Sequence, residues 1–191
     1  MNIHACCLSR VNGPGLRFTI WTQGCSKGCK ECFNPLTWSF ENNKVLSPEE
    51  ILRMVENFEE IDGVTLTGGD PLEQDDILDL LLLLYSKNFK KGIILYTGYT
   101  LDEINNSSLL RHCLNYIDVL IDGKFEQNLK IDSSIRGSSN QNIIYFSSKV
   151  KPEELLFDHE VEVFLEHDSL GLTGFPHFDR RVLKKLGVIL K

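Results

Sequence analysis

Residues 16–34 read LRFTIWTQGCSKGCKECFN. The β-branched and aromatic content of residues 16–23 predicts a strand, and that strand runs straight into a loop carrying Cys25, Cys29 and Cys32. The chain has six cysteines in all, and three of them fall within these eight positions. Structural zinc sites and ordinary iron–sulfur sites usually take four protein ligands, so a triplet either lacks a partner or leaves a metal position open. The loop alone does not choose between them. Cys6, Cys7, His4, His112 and Cys113 are all distant in sequence.

Outward from the loop, Ser47-Pro48-Glu49-Glu50 supplies an N-cap, a proline at the first helical position and a capping-box glutamate, predicting a helix to about Phe58. GVTLT (63–67) reads as a strand, followed by Gly68-Gly69-Asp70-Pro71. ILDLLLLLY (77–85) is too short to span a bilayer and too uniformly apolar for a one-sided surface helix, so it reads as a buried helix. The alternation continues with a strand GIILYT (92–97), a capping box from Thr100 and Glu103, a helix around 108–115 and a strand YIDVLID (116–122). NIIYF (142–146), a short helix from Pro152 and VEVFLEH (161–167) close the series. Strands alternating with helices at this spacing argue for parallel βα units. The expected fold is α/β: a partial (β/α) barrel of about six mostly parallel strands, open on one side. No linker or repeat breaks residues 1–191, so one domain is expected.

The 191 residues, 42% of them apolar, suffice for one core. With 27 acidic against 20 basic residues the formal charge is −7, which disfavours a nucleic-acid or anionic-membrane surface. MNIHACCLSR lacks the basic flank and apolar stretch of a signal peptide. A cytoplasmic protein is expected, and in a reducing compartment the triplet suits a metal better than disulfides.

The unusual residues gather at strand C-terminal ends: Gly24 to Cys32, Gly68 to Pro71, Tyr96 to Tyr99, and Asp122 to Lys124. Barrel and open α/β enzymes assemble their sites there. Three thiolates can hold three irons of a 4Fe-4S cube and leave the fourth open to a substrate. Two glycines let backbone approach a ligand closely, and Asp70 adds negative charge. Asp122 and Lys124, two apart on an extended strand end, are expected on one face.

CxxxCxxC resembles the signature of the radical S-adenosylmethionine (SAM) enzymes. VNGPGLRFTIWTQGC, FNPLTW, TGGDPLEQ, YTGYT, IDVLIDGKFE and RGSSNQ stand in the order found in the anaerobic ribonucleotide reductase activating proteins, a compact branch of the glycyl-radical-enzyme activases. The resemblance covers about residues 10–146 and leaves an extension of about 147–191.

The resemblance implies a 4Fe-4S cluster on Cys25, Cys29 and Cys32 whose fourth iron takes the amino and carboxylate groups of SAM. It implies that Gly68, Gly69 and Asp70 hold the methionine amino group, that Asp122 takes a ribose hydroxyl, and that Lys124 pairs with the SAM carboxylate. Glu31 stands where many of these enzymes carry an aromatic residue, and Phe33 is placed to contact adenine. Tyr96, Thr97 and Arg136 complete the candidate SAM contacts. The implied reaction is one-electron cleavage of SAM to methionine and a 5′-deoxyadenosyl radical, which takes a hydrogen from a glycine of an anaerobic ribonucleotide reductase. A flavodoxin or ferredoxin would donate the electron. The rivals are another radical SAM reaction, on a peptide or small metabolite, and a non-catalytic iron–sulfur or zinc protein. Residues 168–191 are read either as a plain structural cap or as a segment that partly covers the mouth side and helps choose the partner, with Phe175 and Phe178 as apolar contacts.

Overall fold

The central strands are buried almost throughout, and their successive residues enter two different apolar cores, so the sheet lies between two apolar layers. The computed structural model describes residues 1–132, 134–157, 160–166 and 169–174. The sheet contains β1 (Asn2–Ser9), β2 (Arg17–Thr22), β3 (Lys44–Val45), β4 (Gly63–Gly68), β5 (Ile93–Tyr96), β6 (Val119–Asp122) and β7 (Asn142–Tyr145), in the order β3-β1-β2-β4-β5-β6-β7. β2, β4, β5 and β6 are parallel, the βα series that the sequence predicts. β1 and β7 join them antiparallel from either side.

β1 has no counterpart in the sequence reading. Its residues, NIHACCLS, are mostly half-buried and carry little strand composition. The strand exists because its backbone pairs with both β2 and β3, a tertiary cause that local sequence does not display.

The helices lie on one face of the sheet. α1 (Pro48–Glu56) begins with the expected capping box, in which the Glu50 amide donates to the Ser47 hydroxyl and the Ser47 amide donates to the Glu50 carboxylate. α2 (Ile77–Tyr85) buries Ile77, Leu80, Leu81 and Leu84 completely while leaving Leu82 42% exposed. The uniformly apolar run therefore still packs by one helical face. Thr100 and Glu103 cap α3 (Leu101–Asn105), and α4 (Ser108–Cys113) follows. These helices and Phe18, Ile20, Val64, Leu66, Ile93, Leu95 and Leu120 of the strands form the larger core.

The other face has a smaller core. Ile94, Val119 and Ile121 meet Ile135, Val150 and Leu155, so residues before and after β7 cover this face of the sheet. At the N-terminal strand ends Arg17 is fully buried and donates to Thr65 Oγ1 (2.6 Å), Val64 O (2.6 Å) and Gly92 O (2.9 Å). Burial lowers its pKa to about 10, leaving the guanidinium charged at neutral pH and clamped across three strands.

β8 (Val161–Glu166) and β9 (Ser169–Gly174) pair as an antiparallel hairpin. Asn12 Nδ2 donates to Thr173 Oγ1 at 2.9 Å, and the Arg10 amide donates to Glu162 at 2.9 Å. Residues 10–12 precede β2, so these contacts lie at the end of the sheet away from the cysteines rather than at the mouth. Phe175 and Phe178 lie outside the described residues. No helix among the described residues is long and apolar enough to cross a membrane.

Candidate active site

The chain leaves β2 through Gly24, whose φ of +111° needs a residue without a Cβ. Gly24 and Cys25 amides then bond the carbonyls of Thr37 (2.8 Å) and Trp38 (3.1 Å), which folds the 3₁₀ turn Pro35–Thr37 back against the strand end. Gln23 secures the same turn by donating to Leu36 O (3.2 Å) and Ser39 O (2.7 Å). This closed loop brings Cys25, Cys29 and Cys32 to one open cleft.

Burial pushes the Cys25 thiol up to about 11, opposed by a hydrogen bond from the Lys27 backbone, and raises Cys29, opposed by one from the Phe125 backbone. A bound metal reverses this preference, because a coordinated thiol is held deprotonated. Among the described residues no three His, Cys, Asp or Glu side chains converge as the ligands of one metal ion. The cleft thus offers three separate thiols around a shared space.

Gly68 and Gly69 line that cleft, and their small size serves the packing behind it. A Cβ on Gly69 would stand 2.2 Å from Gly24 O, and one on Gly68 would stand 2.6 Å from the Thr22 amide. Asp70 turns away from the cleft. It is fully buried and accepts from the Thr97 hydroxyl (2.8 and 3.0 Å), the Gly98 amide (2.9 Å) and the Leu72 amide (3.1 Å). Burial raises its pKa to about 6 against the pull of those hydrogen bonds.

Asp122 and Lys124 do not share a face. Gly123 has a φ of +92°, which breaks the strand alternation on which that expectation rests. Asp122 is buried, accepting from the amides of Leu101 (2.7 Å) and Asn142 (3.1 Å) and from Asn142 Nδ2 (2.8 Å). Lys124 is exposed at the rim, close enough for its charge to lower the pKa of Cys29. Glu31 is also exposed, at a φ of +58°, and does not belong to the cleft lining.

Phe33 does line the cleft, with Phe125 against it at 4.7 Å between ring centroids. Gly137 of RGSSNQ makes this pair possible, since a Cβ there would come within 2.8 Å of the Phe33 ring. Tyr96 and Thr97 complete the wall below β5, and the Tyr96 hydroxyl donates to Ile135 O at 3.1 Å. Arg136 donates through Nη1 to Gln141 O at 2.8 Å, while its Nε is buried and meets no acceptor among the described residues. Gln141 holds the neighbouring turn by accepting from Gly137 and Ser138 amides (2.9 and 3.2 Å) and donating to Gly123 O (2.9 Å).

Sequence reasoning assigns no role to Lys27, Asn34, Trp38 or Phe125, all of which line the cleft. Asn34 and Trp38 stand within the FNPLTW motif and Phe125 within IDVLIDGKFE, so the motif spans were the available signal.

The family described as a 4Fe-4S single cluster domain matches residues 11–144. The anaerobic ribonucleoside-triphosphate reductase-activating protein of Pasteurella multocida (strain Pm70) is 40% identical over 148 residues, covering 72% of this chain and 92% of that protein. The protein of the same name from Enterobacteria phage T4 is 36% identical over 138 residues, covering 70% of this chain and 86% of that protein. That from Escherichia coli (strain K12) is 38% identical over 139 residues, covering 69% and 89%. Among solved structures, QueE from Escherichia coli is similar at 23% identity and a TM-score of 0.44, covering 51% of this chain and 52% of that one.

Proposed function

This chain belongs to the family of anaerobic ribonucleoside-triphosphate reductase-activating proteins, and on that premise we propose that it is a radical SAM enzyme that installs a glycyl radical on an anaerobic ribonucleotide reductase. The observation that carries this reading is the meeting of three thiols with the C-terminal ends of four neighbouring strands in one cleft. Three sulfur donors fit three irons of a 4Fe-4S cube and leave the fourth iron without a protein ligand. A zinc ion would want a fourth side chain, and the family's 4Fe-4S description favours iron.

When bound, the cluster and SAM supply a one-electron cleavage that yields methionine and a 5′-deoxyadenosyl radical. The chain's own residues hold, orient and exclude. Cys25, Cys29 and Cys32 hold the cluster. Phe33 and Phe125 form an apolar wall, and the backbone at Gly68, Gly69 and Gly123 offers polar groups without side chains in the way. Arg136, whose Nε meets no acceptor among the described residues, is the donor for an anionic group of SAM, and Lys124 adds positive charge at the rim. Asp70 and Asp122 act behind the cleft by fixing the loops that bear Thr97 and Gly123. The chain works as one domain in the cytoplasm, with a flavodoxin or ferredoxin as electron donor.

The test uses the chain purified without oxygen. About four irons per chain are expected, together with 5′-deoxyadenosine formed from SAM under dithionite and a glycyl radical signal on the partner reductase. Cys25→Ala, Cys29→Ala and Cys32→Ala should lose the iron, whereas Cys6→Ala, Cys7→Ala and Cys113→Ala should keep it. A Cys113→Ala chain without iron beside a Cys29→Ala chain that keeps it would overturn the assignment.

A further inference from the structure

Glu73 lies in TGGDPLEQ, three residues beyond Asp70, and the reading above leaves it unused. Its side chain is only 8% exposed, yet it comes from the turn before α2 rather than from the cysteine loop. It accepts from the Ser26 amide at 2.8 Å and from the Ser26 hydroxyl. Lys27 Nζ stands 3.8 Å from the same carboxylate, with its side chain 11% exposed. The Tyr99 hydroxyl donates to Glu73 at 3.4 Å, and Lys27 Nζ sits 3.0 Å above the Tyr99 ring. Gly98 leaves room for this arrangement, because a Cβ there would meet Lys27 Cγ at 2.6 Å.

One carboxylate therefore grips the stretch between Cys25 and Cys29 at two successive residues and joins it to the loop after β5. A polar group removed from water is stable only when it is answered, and the partners of Glu73 sit in the loops that border the cleft, with Lys27 lining it. The Lys27 backbone in turn favours the charged form of the Cys25 thiol, and the Glu73 charge opposes it. Hydrogen bonds to ligating sulfurs and nearby charge are what a protein uses to set a cluster's reduction potential.

We infer that Glu73 is a positioning residue for the cluster: it fixes Ser26 and Lys27, the two residues that follow Cys25, and its charge at that place lowers the cluster's reduction potential. This rests on the cluster-binding reading above, although the grip on the loop does not. Removing the charge makes the added electron easier to accept, so the potential moves upward. Removing the acceptors as well frees the loop.

The experiment compares the full chain, purified without oxygen, with Glu73→Gln, Glu73→Ala and the exposed control Asp75→Asn. Hydrogen–deuterium exchange of residues 24–34 should quicken about tenfold in Glu73→Ala, the equivalent of one net hydrogen bond. Glu73→Gln, which still presents an acceptor to the Ser26 amide, should restore most of the protection. Exchange in β4 and α2 should not change in any variant. In a potentiometric titration followed by electron paramagnetic resonance, both Glu73 variants should show a higher midpoint potential and Asp75→Asn the wild-type one. A wild-type chain that takes up no cluster would overturn the functional reading while the exchange data still judge the grip. Unchanged exchange at residues 24–34 in Glu73→Ala, or faster exchange across the whole chain, would overturn the positioning role. Quickened local exchange with an unmoved potential would overturn its electrostatic part.

Discussion

The Thr97 hydroxyl donates to both oxygens of the Asp70 carboxylate, at 2.8 and 3.0 Å, tying the loop after β5 to the loop after β4 behind the cleft. The Gly98 and Leu72 amides complete the cage. Motif position points to Asp70 as a ligand contact, but these three donors use the carboxylate for assembly.

Assembly by a buried carboxylate has a pH signature. Burial raises the Asp70 pKa from 3.8 to about 6, so the folded state binds this proton more tightly than the unfolded chain. The stability that the proton brings is fully present below about pH 4 and is lost as pH rises through 6. Asp70→Asn removes the titration. Across pH 4 to 7.5 the stability difference should move in the variant's favour by up to about 3 kcal/mol, at 1.36 kcal/mol per pKa unit. Urea denaturation at a series of pH values reads this directly, and a flat difference would show that Asp70 titrates normally.

The glycines of the site separate by their surroundings. Gly69→Ala would drive a methyl into Gly24 O, 2.2 Å away, where both partners are backbone and neither can swing aside. A loss of about 3 kcal/mol or more is expected. Gly28 also lies in the cysteine loop, at a φ of +59°, but nothing stands within 4 Å of a Cβ there. Gly28→Ala should cost only the left-handed backbone penalty, about 1–2 kcal/mol. Equal urea midpoints for the two variants would contradict the close approach of the loops after β2 and β4.

Arg136 and Lys124 should part company in SAM binding. The Arg136 Nε is buried and unanswered among the described residues, whereas Lys124 is exposed. Arg136→Ala should weaken SAM binding by on the order of 1.5–3 kcal/mol, the worth of a hydrogen bond to a charged group. For Lys124→Ala the loss should stay under about 1 kcal/mol, as for other solvent-screened charges. Calorimetric titration of the iron-loaded chains measures both, and a larger loss at Lys124 would reverse the two assignments.

What the sequence makes legible follows physical range. Caps at Ser47 and Thr100 are contacts over three residues, so the Ser47 motif places α1 and the Thr100 capping box marks where α3 begins, although the helix expected in that region is the one around 108–115. The cysteine triplet and the glycine pairs are likewise local, and they mark the strand ends that line the cleft. Alternation across Asp122 to Lys124 misleads because one left-handed glycine, Gly123, reverses the facing that an extended strand would give. β1 and the Glu73 grip on Ser26, 47 residues away in sequence, depend on chain segments that only the fold brings together. No spacing rule in the sequence reports them.

The residues after β7 offer the sharpest contrast between neighbours. The family match ends at residue 144, yet Leu155 is fully buried in the smaller core with Ile94, Val119 and Ile121. Its carbonyl also accepts from the Ile135 amide at 2.9 Å, linking this segment to the turn that precedes Arg136. Leu156, the next residue, is 62% exposed. Leu155→Ala should therefore destabilise the chain by about 2–5 kcal/mol, as truncation of a buried leucine does, and should loosen the wall that carries Arg136. Leu156→Ala should stay within about 0.5 kcal/mol of the wild type. Thermal unfolding and SAM affinity of the two variants decide the matter. If Leu155→Ala matched Leu156→Ala in both, the segment after β7 would be an appendage; a selective loss at Leu155 makes it part of the enzyme's core.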